Sequence, residues 1–174
     1  RHVLPEIELV PKSKRRYLSP YAMSHVLGYV AKVSDDDIES DVVKVHEGMT
    51  EIGKLGIERF YQNILSGKPG YEKLETDAKG KVIRVIEKKQ PVRGDDIYLT
   101  LDLNLQQYIY NKVDKKEGAI IVMDPNNGDI LSFVSFPGYD NNLFTKSIST
   151  KKYNELITDK RRPLINRVIS GQYP

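Results

Sequence analysis

The chain has 174 residues, 39% hydrophobic and 29% charged, the mixture of one folded domain or two small ones, which excludes a disordered tail or a fibrous repeat. Its 27 basic and 24 acidic residues leave a net charge of +3, and no Lys/Arg block is interleaved with aromatics, so there is no nucleic-acid footprint. With no cysteine the chain has neither a disulfide framework nor a thiolate metal site, and no run approaches the roughly 18 apolar residues of a membrane-spanning helix.

The opening RHVLPEIELV lacks the charged, apolar and small-residue regions of a signal peptide. Pro5, Pro11 and Pro20 divide the first stretch into extended pieces, because proline cannot continue a helix. SHVLGYVAKV then reads as a strand. Ser34 ahead of Asp35, Asp36 and Asp37 predicts a helix N-cap with acidic residues in the first turn and a short helix through Ile38. The strongest helical signal follows: Ile57, Phe60, Tyr61, Ile64 and Leu65 form one apolar stripe, expected to face the core, and Gly67 stands where a left-handed C-terminal cap belongs. YEKLETDAKGKVIRVIEKK reads as two strands joined by a turn over Asp77 to Gly80. Pro91 and Gly94 mark a linker, so the first unit is expected to span residues 1–94 and the second 95–174.

In the second unit Ile97, Leu99 and Leu101 alternate as a strand, after which Asp102 caps a helix carrying Leu105, Tyr108 and Ile109. GAIIVMDPNNGDILSFVSFP is a hairpin around Pro125 to Gly128, and the nearly continuous apolar run of its first strand predicts burial on both faces. A lone hairpin is marginal in water and needs cover. The expected cover is a helix from Thr150 to Ile157 capped by Ser149, together with a closing helix that has Pro163 in its first turn and Leu164, Ile165, Val168 and Ile169 inside. Short strands and helices in mixed order make this an α+β chain. The ending GQYP, apolar and uncapped, is expected to be a cut rather than a natural terminus.

Catalytic and ligand chemistry is thin. His2, His25 and His46 are isolated, with no metal-ligand spacing, and no metal or cofactor is expected. Gly53-Lys54-Leu55-Gly56-Ile57-Glu58 lacks the full phosphate-loop pattern and reads as a tight helix entry, with Glu58 placed for the N-terminal dipole. Ser149-Thr150-Lys151-Lys152 satisfies the S-x-x-K spacing of serine acyl transfer. That site needs a partly desolvated lysine, whereas this stretch reads as a solvated helix start, so Ser149 is expected to be only a cap. Gly53 and Gly56 permit close backbone approach ahead of the helix. Lys54, Glu58 and Arg59 stand where ion pairs between the two units would fix their orientation.

The order of segments resembles the class B penicillin-binding proteins. The resemblance rests on RRYLSPYAMSHVLGYV, IGKLGIERFYQNILSGKPGYE, GKVIRV, DIYLTLDLNLQQYI, GAIIVMDPNNGDILSFVSFPGYDNNLF and RPLINRVISGQYP. One departure is local: the family places proline directly after the tyrosine, whereas Leu18 and Ser19 separate Tyr17 from Pro20 here. The resemblance implies a non-catalytic pedestal followed by the first strands and helices of a transpeptidase domain. In the family a segment like GQYP runs into a Pro-Gly-Ser-x-x-Lys motif that carries the acyl-accepting serine, so the catalytic serine and lysine are expected beyond Pro174 and no residue here is carried over as catalytic. It further implies a parent enzyme that cross-links peptidoglycan stem peptides during cell-wall elongation and is a target of β-lactams. A RodA-type glycan polymerase and an MreC-type scaffold are its implied partners. An inner-membrane position facing the periplasm, through a helix preceding Arg1, is implied as well. Arg16 and Tyr17 join Gly53, Lys54, Gly56, Glu58 and Arg59 as interdomain candidates.

Overall fold

The computed structural model describes residues 14–38, 49–113 and 116–172. Pro5, Pro11, His2, His46 and the closing Tyr-Pro lie outside the described residues.

The first element corrects the strand expected from SHVLGYVAKV. Helix α1 runs Pro20–Leu27, and only Val30–Lys32 is extended, as β1. Pro20 opens the helix instead of interrupting it, because the first helical position needs neither the missing N–H nor a free φ, and Gly28 at φ 72° ends it. Helix α2, Asp35–Ile38, follows where the acidic run predicts it, and the Asp37 carboxylate accepts from the Ser34 backbone N–H at 2.8 Å. Strand β2, Glu51–Gly53, pairs antiparallel with β1, Val30 opposite Gly53.

The expected helix over 57–65 is two short helices, α3 Gly56–Phe60 and α4 Gln62–Leu65, broken at Tyr61. Its apolar stripe does not form the core. Phe60 is 80% exposed and Ile64 also faces out, while Glu58 and Gln62 are buried. The stripe is real as a pattern, but the side turned inward carries Glu58, which accepts from the Arg15 and Tyr17 side chains, and Gln62, which accepts the Gly53 N–H, and these bonds decide the orientation. Gly67 is left-handed, as expected, at φ 65°.

Strands β3, Tyr71–Thr76, and β4, Val82–Lys89, form the predicted hairpin, with the Asp77 side chain accepting from the N–H groups of Lys79 and Lys81 in the turn. Residues 97–101 are not a strand. They run beside the second hairpin, where the Thr100 hydroxyl donates to the Ile130 carbonyl at 2.8 Å and the Asp102 N–H to the Leu131 carbonyl at 2.9 Å. Helix α5, Leu103–Lys112, begins at the predicted cap, the Asp102 carboxylate accepting from the N–H groups of Asn104 and Leu105. Of its expected inward residues Tyr108 is exposed, and the fully buried side chain is Gln106.

Strands β5, Gly118–Met123, and β6, Ile130–Phe136, make the second hairpin, Gly118 opposite Phe136. Burial is the reverse of the expectation. Ile121 and Met123 on β5 are exposed, and Ser132, Val134, Ser135 and Phe136 on β6 are buried. The reason is cover: α1 and α5 pack on β6, while helix α7, Arg167–Ser170, reaches both strands. Helix α6, Thr150–Thr158, capped by Ser149, buries no residue and does not supply the expected cover. Pro163 is buried but lies in a turn, and the closing helix starts four residues later with Asn166 as cap.

The apolar core gathers where α1 meets β6 and a 3₁₀ helix over Asn141–Lys146. Tyr29 stacks on Phe144 with ring centroids 3.9 Å apart, and Tyr139 stands edge-on to Phe144 at 5.7 Å and to His25 at 5.4 Å.

Candidate functional site

The sequence candidates converge on one junction around Tyr17. The phenol hydroxyl donates to Glu58 Oε1 at 3.2 Å and accepts the Val30 N–H at 2.9 Å. Its backbone clasps the far side of the molecule: the Tyr17 N–H donates to Asn142 Oδ1 at 2.9 Å, and Asn142 Nδ2 donates back to the Tyr17 carbonyl at 3.0 Å. One residue thereby joins β1, α3 and the 3₁₀ helix.

Glu58 is 6% exposed, and Arg15 closes on it with two contacts, Nε to Oε1 at 2.8 Å and Nη2 to Oε2 at 3.1 Å. Burial raises the Glu58 carboxyl above its ordinary range, opposed by the Arg15 charge and by the hydrogen bonds from Tyr17 and Arg15. Burial and the neighbouring carboxylate raise the Tyr17 phenol in turn. Both groups are structural at neutral pH, since Tyr17 keeps its proton for the bond to Glu58.

Gly53 and Gly56 sit where backbone meets backbone. A Cβ on Gly53 would lie 2.1 Å from the Glu58 carbonyl oxygen, and one on Gly56, whose φ is +59°, would lie 2.4 Å from the Val26 carbonyl oxygen. The Gly53 N–H donates to Gln62 Oε1 at 2.7 Å, which explains the inward glutamine. Lys54 does not reach Glu58. Its ammonium pairs with Asp37 and donates to Ser34 Oγ at 3.1 Å. Burial by itself would raise the Asp37 carboxyl, but the bonds from Lys54 and Ser34 prevail and hold it at about 2. Arg59 donates to the Lys54 carbonyl at 3.3 Å, and Arg16 is exposed.

Both ion pairs, Arg15 with Glu58 and Lys54 with Asp37, therefore lie within the first 94 residues. Apart from the Arg93–Asp96 ion pair at the boundary itself, 2.7 Å, the side-chain bonds described next that cross to the later residues come from neutral groups. Gln106 is fully buried: its Nε2 donates to the carbonyls of Ala22 at 2.8 Å and Phe133 at 2.7 Å, and its Oε1 accepts from Ser132 Oγ and the Phe133 N–H, both at 2.8 Å. Asn141 Nδ2 donates to the Gly28 carbonyl at 2.8 Å, and Gln107 donates to Ser19 Oγ. His25 donates from Nε2 to the Pro163 carbonyl at 2.9 Å, and Nδ1 faces Ser24 Oγ at 3.3 Å. A carbonyl only accepts, so the proton sits on Nε2. Burial pushes this ring down to about 4, opposed by the bond to Pro163.

Sequence reasoning missed Arg15, Gln62, Gln106, Asn141 and Asn142. The Arg15-Arg16 pair held the signal for the first of these. The amides carry none, because a buried amide is identified by the carbonyls around it rather than by its neighbours in sequence.

This arrangement positions backbone segments and side chains against one another. Ser149 Oγ accepts from the Lys152 N–H at 3.4 Å as a helix cap, and both residues are exposed. Among the described residues no group of three or more His, Cys, Asp or Glu could hold a metal ion, and no helix is long and apolar enough to cross a membrane.

Residues 1–99 match the penicillin-binding protein dimerisation domain family. The chain is 44% identical to the peptidoglycan D,D-transpeptidase MrdA of Haemophilus influenzae over 98% of its own length and 27% of that protein's. It is also 44% identical to the MrdA of Escherichia coli, covering 98% of the chain and 28% of the relative. The chain thus spans about a quarter of these curated relatives. Among solved structures, Pseudomonas aeruginosa PBP2 in complex with WCK 5153 superposes with a TM-score of 0.77 at 37% identity, over 92% of this chain and 32% of that one. PBP2 in its complex with MreC from Helicobacter pylori gives 0.76 at 36% identity, over 91% and 29%.

Proposed function

The chain belongs to the penicillin-binding protein dimerisation domain family, and from that premise we propose that it forms the non-catalytic pedestal, with the opening of the transpeptidase domain, of a longer peptidoglycan D,D-transpeptidase. The observation that carries this reading is that likeness to D,D-transpeptidases runs through 98% of the chain, across the Tyr17 junction and the second hairpin alike. The parent would join stem peptides through a serine acyl-enzyme supplied by residues outside this sequence, and β-lactams would trap that serine. Residues 1–94 act as pedestal and 95–174 as the start of the catalytic domain, with Tyr17, Gln106, Asn141 and Asn142 holding one to the other. Glu58, Arg15, Gly53 and Gly56 keep the Tyr17 side of that joint rigid. The parent sits at the bacterial inner membrane with this part facing the periplasm, alongside a RodA-type polymerase.

A second role is supported by the likeness to a PBP2 solved with MreC. In this role the pedestal is an interaction module for an MreC-type scaffold. Titrating the 174-residue chain against such a scaffold by calorimetry tests it. Saturable one-to-one binding, matching that of the longer protein, is the expected result. Binding by the longer protein alone would assign the partner surface to the missing part.

A further inference from the structure

Between α6 and α7 the chain has no regular secondary structure, yet side chains fix its path at almost every step. The carbonyls of Arg161, Arg162, Pro163 and Ile165 each accept a hydrogen bond from a side chain, and the donors come from three different elements. His25 on α1 donates from Nε2 to Pro163 at 2.9 Å. Ser135 on β6 donates to Ile165 at 3.2 Å and accepts the Arg167 N–H at 2.9 Å. Arg167, the first residue of α7, folds its guanidinium back onto the carbonyls of Arg161 at 2.6 Å and Arg162 at 3.3 Å, and meets Glu117 at 3.3 Å. Asn166 completes the clamp by donating to the His25 carbonyl at 3.3 Å. The backbone is held against its own preference, since Arg162 sits at φ +46°, a left-handed geometry that costs a residue with a Cβ free energy.

We propose that His25 and Ser135 are positioning residues for the transpeptidase: they fix where α7 stands relative to α1, and acylation of the longer protein depends on that placement. The inference rests on the reading of residues 95–174 as the start of the transpeptidase domain. Helix α7 is four residues long and buries none of them, so neither its own propensity nor apolar packing holds it. Its place therefore depends on the hydrogen bonds at its entry. It nevertheless reaches both β5 and β6, which makes it part of the frame of the second unit. Of the three donors to the segment, His25 alone belongs to residues 1–94, so its bond to Pro163 carries the position of the first unit into that frame. Ser135 answers from the opposite side: it is buried, and one hydroxyl ties the residue before Asn166 to the residue after it. A chain path specified by a few side chains shifts when one is removed, because the freed carbonyl must find another partner. Displacements of about 1 Å away from the reacting atoms are enough to slow catalysis by orders of magnitude.

The test uses the longer protein and two readouts, the rate of acylation by a labelled penicillin and amide hydrogen exchange. His25→Gln puts an amide N–H in the place of Nε2 and keeps the bond to Pro163, whereas His25→Leu removes it. In the His25→Leu protein the amides of Ile165, Arg167 and Val168 are expected to exchange at least about tenfold faster, with those of β5 and β6 unchanged. Acylation should slow at least about tenfold at a temperature where circular dichroism shows the protein fully folded. His25→Gln should restore both readouts to within about twofold, and Gly80→Ala, in the open turn of the β3–β4 hairpin, should leave both as they were. Ser135→Ala drops the bonds to Ile165 and Arg167 together; it should repeat the His25→Leu pattern, and it serves where that variant does not fold. Faster exchange with normal acylation would reduce the clamp to a structural feature and overturn the proposal. Unchanged exchange, or a His25→Gln protein as slow as His25→Leu, would overturn it too. An unaltered longer protein that takes up no penicillin would instead overturn the transpeptidase reading, and the role drawn from it, whatever the exchange pattern.

Discussion

Lowering the pH should weaken the seam between α1 and the closing segment by a predictable amount, through His25. Its ring is held neutral, donating to the Pro163 carbonyl at 2.9 Å and packed edge-on against Tyr139. Titrating at about 4 in the fold instead of 6.5, it binds its proton more readily in the unfolded chain. Stability from this group is therefore fully present above pH 6.5 and is lost as pH falls toward 4. Linkage gives a loss of about 2 kcal/mol between pH 8 and pH 5, and of about 3 kcal/mol once both states are protonated. Urea unfolding followed by tyrosine fluorescence at pH 8 and 5 measures the wild type, and the His25→Gln chain corrects for every other titrating group. The wild type should lose about 2 kcal/mol more than the variant. Direct titration of the His25 ring by NMR covers the case in which the variant does not fold. Equal losses in the two chains, or a ring that titrates near 6.5, would refute the reasoning.

The remaining predictions concern the joint. Gln106→Leu keeps the volume but leaves Ser132 and three backbone groups short of their partner, so unfolding free energy should fall by about 3–6 kcal/mol, read from the urea midpoint. Gly53→Ala places a carbon 2.1 Å from a carbonyl oxygen and should cost about 3 kcal/mol or more, whereas Gly80→Ala in the open hairpin turn meets no atom and should cost about 1 kcal/mol from its φ of +81° alone. Glu58→Gln should lower stability by only about 1–2 kcal/mol, because Arg15 is 41% exposed and water takes over much of its charge. In the longer protein the same change should reduce transpeptidation by more than the stability loss explains, if the junction sets orientation. Asp37, held at about 2, contributes stability above its unfolded value near 4 that disappears as pH falls toward 2; Lys54→Met should reduce that acid-side slope in a pH series of thermal melts, the two bonds from Ser34 keeping the remainder.

Local chemistry was readable from the sequence wherever one residue decides the backbone. Asp102 and Ser149 cap the helices they precede, Gly67 takes its left-handed turn, and both hairpins close at the polar turns foreseen. The failures share a cause. Val26 and Leu27 suit a helix or a strand equally, and the choice falls to Pro20 and to the packing of α1 on β6, which no local pattern contains. The stripe from Ile57 to Leu65 points outward because Glu58 and Gln62 serve Arg15, Tyr17 and the Gly53 N–H, partners that include residues more than forty positions away. Hydrophobicity predicts where apolar groups go on average. It is silent on a buried polar side chain that is retained because the carbonyls and N–H groups around it would otherwise be unpaired. The candidate site was legible in its glycines and in Tyr17 and Glu58, and illegible in the amides that complete it.

Intact mass spectrometry after incubation with a labelled penicillin tests the central claim, that this chain supports a serine transpeptidase without being one. The 174-residue chain should keep its mass, while the longer protein carrying it should gain one penicillin. An adduct on the chain itself, mapped to Ser149 or any other residue, would contradict the account.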